Sequence, residues 1–124
     1  MAGKVLLLED DADQLEMLAL ALSLVCRCEC VRARSYADLT SLADEALGCA
    51  VALLDVNLGA RQPSGLDAYL WLRHHEYRGR VCFLTGHARS HPLVVQALAM
   101  GDARVVEKPI GSDRLCELVA GESG

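Results

Sequence analysis

Val51-Ala52-Leu53-Leu54-Asp55-Val56-Asn57-Leu58 decides how this chain reads: an unbroken apolar run ends in a carboxylate, and an amide follows two residues later. Continuous rather than alternating apolar residues suit a strand buried on both faces, as in a parallel sheet covered by helices. Working outward from this run, which begins at Ala50, similar segments recur at Lys4 to Leu8, Val81 to Leu84 and Arg104 to Val106, and all are expected to be buried strands. Cys28 to Arg34 mixes apolar and polar residues, the pattern of an edge strand. Between them lie five helix candidates: Asp13 to Val25, Tyr36 to Leu47, Leu66 to His75, His91 to Met100 and Asp113 to Ala120. Strands alternating with helices predict an α/β fold, a doubly wound five-stranded parallel sheet with helices on both faces. Leu15, Leu18, Leu22 and Val25 recur at helical spacing and predict the buried stripe of the first helix. Gly101 suits a left-handed helix terminus, Ser112 an N-cap, and Gly65 a positive φ after Pro63-Ser64.

With 124 residues, 52% apolar and 23% charged, the chain is one domain able to close a core, which excludes disorder. We expect that domain to span residues 1–121, with 122–124 as a loose tail. A net charge of −5 and few aromatics argue against direct nucleic-acid binding. Val5-Leu6-Leu7-Leu8 runs straight into Glu9-Asp10-Asp11, unlike a signal peptide. Met17 to Cys26 falls short of the roughly 20 residues that span a bilayer. A cytoplasmic protein without membrane contact is therefore expected, and its six cysteines are expected to be reduced. Cys26, Cys28 and Cys30, two residues apart, would share one strand face as small buried hydrophobes rather than zinc ligands. His74-His75 reads as a solvated helix end, His91-Pro92 as a helix start, and Trp71 with Leu70 and Leu66 as core.

In an open parallel sheet, ligands bind beyond the carboxyl ends of the strands where strand order reverses. Those ends carry Glu9-Asp10-Asp11, Asp55-Val56-Asn57, Thr85-Gly86-His87 and Glu107-Lys108-Pro109. Carboxylates, a hydroxyl and a lysine are thus expected on one rim.

These segments, in this order and over essentially the entire chain, resemble the receiver domain of bacterial two-component response regulators. The resemblance implies a flavodoxin-like sheet of order 2-1-3-4-5 and a phosphorylatable aspartate at Asp55. It implies Mg²⁺ binding by Glu9, Asp10 and Asp55 with the backbone carbonyl of Asn57, and phosphoryl contacts from Thr85 and Lys108. It further implies a histidine kinase or histidine phosphotransfer protein as phosphodonor, meeting the Gln14–Met17 face of the first helix, and an output partner or attached effector. In similar domains the positions of Asn57 and His87 border the path of water to the acyl phosphate. Such a domain is a signalling switch with limited self-catalysis rather than an enzyme. Elementary electrostatics agrees: two carboxylates at 4 Å repel by about 4 kcal/mol at an effective dielectric near 20, so the cluster calls for a cation. Mg²⁺, which takes carboxylate, water and phosphate oxygens, suits it.

Two departures stand out. Val105 occupies a place usually aromatic in the family, which puts the usual threonine–aromatic switch in question. The segment from Asp55 to Gly65 is two residues longer than the commonest spacing, with Gly59 where proline is usual, and a mobile loop is expected there. The alternative reading is a pseudo-receiver that docks protein partners without phosphorylation. An aspartyl-nucleophile phosphatase would want an acid at position 57, and a dinucleotide-binding fold would want Gly-x-Gly-x-x-Gly after the first strand; neither is present.

Overall fold

The apolar runs become β1 (Val5–Leu8), β2 (Cys30–Ala33), β3 (Val51–Asp55), β4 (Arg80–Thr85) and β5 (Ala103–Glu107). In the computed structural model, which describes residues 3–59, 62–86 and 91–120, they pair in parallel in the order β2-β1-β3-β4-β5. The helices are α1 (Ala12–Leu24), α2 (Tyr36–Ser41), α3 (Ala43–Leu47), α4 (Gly65–His74), α5 (Pro92–Leu98) and α6 (Ser112–Ala120).

Alternate residues of each strand serve two cores, which is why the sequence runs are continuous. Leu6, Leu8, Ala52, Leu54 and Phe83 pack with Leu39, Leu66, Leu72 and Ala97 from α2, α4 and α5. Val5, Leu7, Val51, Leu53 and Leu84 pack on the opposite face with Leu15, Ala19 and Leu22 of α1 and Leu115 and Leu118 of α6. The β1-to-β2 crossover runs one way along the sheet and the later ones run the other, so right-handed connections put α1 and α2–α5 on opposite faces. The reversal lies between β1 and β3, and the ends of those strands flank a crevice. Among the described residues no helix is long and apolar enough to cross a membrane.

Several expectations are corrected. The single helix expected over Tyr36 to Leu47 is two, because Leu42 leaves helical geometry at φ −104, ψ 28. β5 is half-buried rather than buried, since it forms the second edge of the sheet with only β4 beside it. β2 is the other edge, as expected, and begins at Cys30 rather than Cys28; its outward Arg32 pairs with Glu16 of α1 at 2.9 Å. The α1 stripe holds at Leu15 and Leu22, but Val25 is the C-cap and lies exposed. Trp71 is half-buried against the core that includes Leu66, whereas Leu70 is exposed. Gly101 is not left-handed, for α5 ends at Leu98 with Ala99 as its cap. His91 does start a helix: its Nδ1 accepts from the Leu93 amide at 3.2 Å. His74 and His75 are exposed at the end of α4 as expected.

The cysteines are not all reduced: Cys26 and Cys116 form a disulfide across 90 residues of sequence. Their pairing was hidden because the two-residue spacing suggested one extended face. Arg27, at φ 59, turns the chain before β2 begins. Cys28, Cys49 and Cys82 are buried thiols and Cys30 a half-buried one.

Candidate functional site: an acidic rim at the crevice

The acidic triplet after β1 divides by role. Asp11 is the N-cap of α1, and its Oδ1 accepts from the Asp13 and Gln14 amides at 2.9 and 3.1 Å, the ordinary helix-start use of a carboxylate. Glu9 is buried, held by its amide to the Ala33 carbonyl at 3.0 Å, and its Oε2 accepts from the Asp11 amide at 3.2 Å. Asp10 is half-buried, and its carbonyl accepts from Arg34 Nη2 at 3.1 Å.

Asp55 ends β3 and is buried beside them, so that oxygens of Glu9, Asp10 and Asp55 all lie within 4.8 Å of one another. Lys108 reaches in from the end of β5, where its amide donates to the Thr85 carbonyl at 2.8 Å. Its Nζ donates to Glu9 Oε1 at 2.8 Å and Gln14 Oε1 at 2.9 Å, and stands 3.5 Å from Asp55 Oδ1. Among the described residues one ammonium thus contacts two of the three carboxylates, those of Glu9 and Asp55. Burial, and then the negative charge of Glu9, push the Asp55 carboxyl up to about 7 from 3.8. Asp10 is raised too, by burial and then by its hydrogen bond with Glu9. For Lys108, burial works to lower the value, but Glu9 and Asp55 outweigh it and the net shift is upward.

A cleft of about 330 Å³ opens over these groups, with Asn57 and Gly86 on its walls. Asn57 Oδ1 accepts from the Gly59 amide at 2.9 Å, which ties the side chain to its own loop. Gly59 sits at φ 111, which proline cannot adopt, and this accounts for the residue found there. Residues 60–61 of that loop lie outside the described residues, as does His87. Thr85 is buried at the end of β4, and beside it a Cβ on Gly86 would meet nothing within 4 Å among the described residues. Val105 is half-buried and packs into the core shared by β1, β3 and β4.

The rim therefore gathers Glu9, Asp10, Asp55 and Lys108 directly, with Thr85 and Asn57 on the adjoining strand end and loop. The roles of three contributors differ from the sequence reading. Gln14 was expected on the donor-facing side of the first helix near the rim, and its hydrogen bond with Lys108 was not foreseen. Arg34 looked like the polar end of an edge strand. Gly65 does not need a positive φ; it needs the absence of a side chain, because a Cβ there would sit 2.1 Å from the Asp55 carbonyl oxygen.

Chemically, a buried carboxylate set that exceeds its cationic partner favours a hard divalent ion, and a fixed ammonium beside it favours a phosphoryl or other oxyanion group. Sheet order and rim define a doubly wound α/β domain with its site at the switch point. The profile of the response regulator receiver domain matches residues 5–120, and the chain belongs to that family. No curated protein matches the sequence. Among solved structures, NtrX from Brucella abortus is 27% identical with a TM-score of 0.79; the match covers 98% of this chain and 26% of NtrX. The chemotaxis protein CheY4 of Vibrio cholerae is 20% identical at a TM-score of 0.81, with 98% of both chains covered. A response regulator from Burkholderia pseudomallei, solved with a phosphorylated aspartic acid, calcium ion and citrate, is 24% identical at a TM-score of 0.78. That match covers 94% of this chain and 66% of the Burkholderia one.

Proposed function

We propose that Asp55 is a phosphoacceptor in a cytoplasmic domain, modified in a Mg²⁺-dependent reaction by a phosphohistidine donor, a histidine kinase or histidine phosphotransfer protein. The carrying observation is the convergence of Glu9, Asp10 and Asp55 oxygens within 4.8 Å, with Lys108 Nζ at 3.5 Å from Asp55. The Burkholderia structure lends support by holding a phosphorylated aspartic acid in a similar fold.

An Asp55 oxygen attacks the phosphorus atom, the P–N bond to the donor imidazole breaks, and its electron pair stays on the ring nitrogen. Glu9, Asp10 and Asp55, with the Asn57 carbonyl, would hold Mg²⁺, whose positive charge would favour ionised Asp55 and offset the charge on the phosphoryl group. Lys108 keeps its proton and binds the transferred group, exchanging part of its contact with Glu9 for the new negative charge. The Thr85 hydroxyl donates to a phosphoryl oxygen. Water later attacks the acyl phosphate, so the state is transient and the domain acts as a switch for an output partner, without turnover as an enzyme.

Incubation with phosphoramidate and Mg²⁺ should add one phosphoryl group by intact mass, and Asp55→Asn should add none. Asp10→Asn should weaken Mg²⁺ binding at least tenfold and slow labelling in parallel. The pseudo-receiver reading, which Val105 favours by removing the usual switch side chain, expects no label on the wild type. Label that persists in Asp55→Asn would place the acceptor elsewhere.

A further inference from the structure

We infer that Cys26 and Cys116 are a reversible redox modification site that clamps α6 against α1 along the apolar groove beside the rim. The bond joins the residue just past the α1 cap to the middle of α6, with a Cα–Cα distance of 5.2 Å. Both cysteines are half-exposed, within reach of a small thiol.

The other four cysteines behave differently. Cys28, Cys49 and Cys82 are buried, and Cys28 Sγ donates to the Cys26 carbonyl at 3.5 Å rather than facing solvent. Burial pushes the Cys30 and Cys49 thiols up to about 11 and raises Cys28 and Cys82 as well, leaving little thiolate on any of them near neutral pH. Exchange is therefore confined to one pair.

Where the bond sits gives it a consequence. Met17, Leu18 and Ala21 of α1 face Ile110 and Leu115 across a groove of about 420 Å³ that ends at Lys108. The far end of α6 is anchored independently, since Arg80 Nη1 and Nη2 donate to the Leu118 and Val119 carbonyls at 2.9 Å each. Leu115, Leu118 and Val119 are buried in the core with α1. The reduced protein thus keeps its fold, but α6 loses its covalent tie to α1.

The step balances with a low-molecular-weight disulfide as oxidant. One protein thiolate attacks glutathione disulfide and releases a glutathione thiolate. The second protein thiolate then displaces the other glutathione, so one protein disulfide and two glutathione thiols form, with two electrons passed to the oxidant. Reduction by glutathione is the reverse.

The test is to equilibrate the folded protein in glutathione buffers from reduced to oxidised, trap thiols by alkylation, and follow α6 amide hydrogen exchange in parallel. Neither readout depends on phosphorylation, so failure here is separable from failure of the phosphoacceptor reading. We expect one reversible transition confined to Cys26 and Cys116, with α6 amides exchanging at least tenfold faster when it is reduced. Cys116→Ser and Cys26→Ser should exchange like the reduced wild type in every buffer, and if a variant unfolds, the reduced wild type alone decides. Irreversible oxidation, alkylation spread over the other thiols, or equal α6 exchange in the two wild-type states would overturn the inference.

Discussion

Gly65→Ala should cost about 3 kcal/mol or more of folding stability and abolish Mg²⁺ binding in the protein that remains folded. The added Cβ would lie 2.1 Å from the Asp55 carbonyl oxygen, 2.9 Å from its carbonyl carbon and 3.2 Å from Val56 Cα. None of these atoms can yield cheaply. The Gly65 amide donates to the Val56 carbonyl at 3.0 Å, and the Val56 amide to the Leu84 carbonyl at 2.9 Å. The start of α4 is fixed by a capping box, with the Ser64 amide on Asp67 Oδ2 at 2.7 Å and the Leu66 amide on Ser64 Oγ at 3.2 Å. Relief must therefore come from the end of β3, which carries Asp55. Gly101→Ala is the control, because a Cβ there meets nothing within 4 Å and its φ is not positive; it should stay within about 0.5 kcal/mol of the wild type. Urea denaturation measures both, and equal midpoints for the two variants would refute the close-contact explanation.

In metal-free buffer the wild type should lose stability as pH rises from about 4 to about 7, the reverse of a protein held by carboxylate salt bridges. Asp55 titrates near 3.8 when unperturbed but is pushed up to about 7 in the fold by burial and by Glu9. Between those values the folded state holds a proton that the unfolded chain has released, so stability is present at low pH and lost as pH climbs through the window. Asp10, also raised, acts in the same sense. Lys108 is raised from 10.5 and so affects stability only in alkali. Asp102 is lowered, by its hydrogen bond with the Tyr69 hydroxyl foremost, and opposes the trend only at acid pH. At about 1.4 kcal/mol per pKa unit, discounted for the water that reaches the rim, Asp55→Asn should be about 2 kcal/mol more stable than the wild type at pH 8. It should also flatten the decline between pH 4 and 7. Thermal denaturation of both proteins across that range provides the measurement. Parallel curves would mean that Asp55 is ionised in the fold without cost.

The sheet was readable because burial on both faces leaves a composition signature: Val5 to Leu8 and Val51 to Leu54 have no solvent side and so no polar residue. Its strand order came from the resemblance, since no single strand states which neighbour it takes. The rim was readable in the same way, as polar residues that break apolar runs at their carboxyl ends. What stayed hidden depended on distance in sequence. Cys116 lies 90 residues from Cys26, and Lys108 finds Gln14 across 94. Nothing local to either member announces its partner. Gly65 was misread for a different reason: a glycine after Pro-Ser looks like a turn, and only the backbone passing beneath it shows why a side chain is excluded. The β5 run was apolar enough for a central strand, and its edge position followed from topology rather than composition.

The two open edges of the sheet also bear on how copies of this chain meet at high concentration. Each edge strand has a side along which no other described strand pairs, where a foreign strand could add, the usual route to irreversible aggregation. β2 spans four residues and places Arg32, tied to Glu16, at its middle; β5 spans five and carries Arg104 and Glu107. An incoming strand would have to desolvate those charges for a ladder only a few residues long. Strand-to-strand growth is thereby disfavoured at both ends, and self-association is left to the exposed apolar side chains of the helices, Met17 and Leu24 of α1 and Val95 and Leu98 of α5, which can separate again without breaking a sheet.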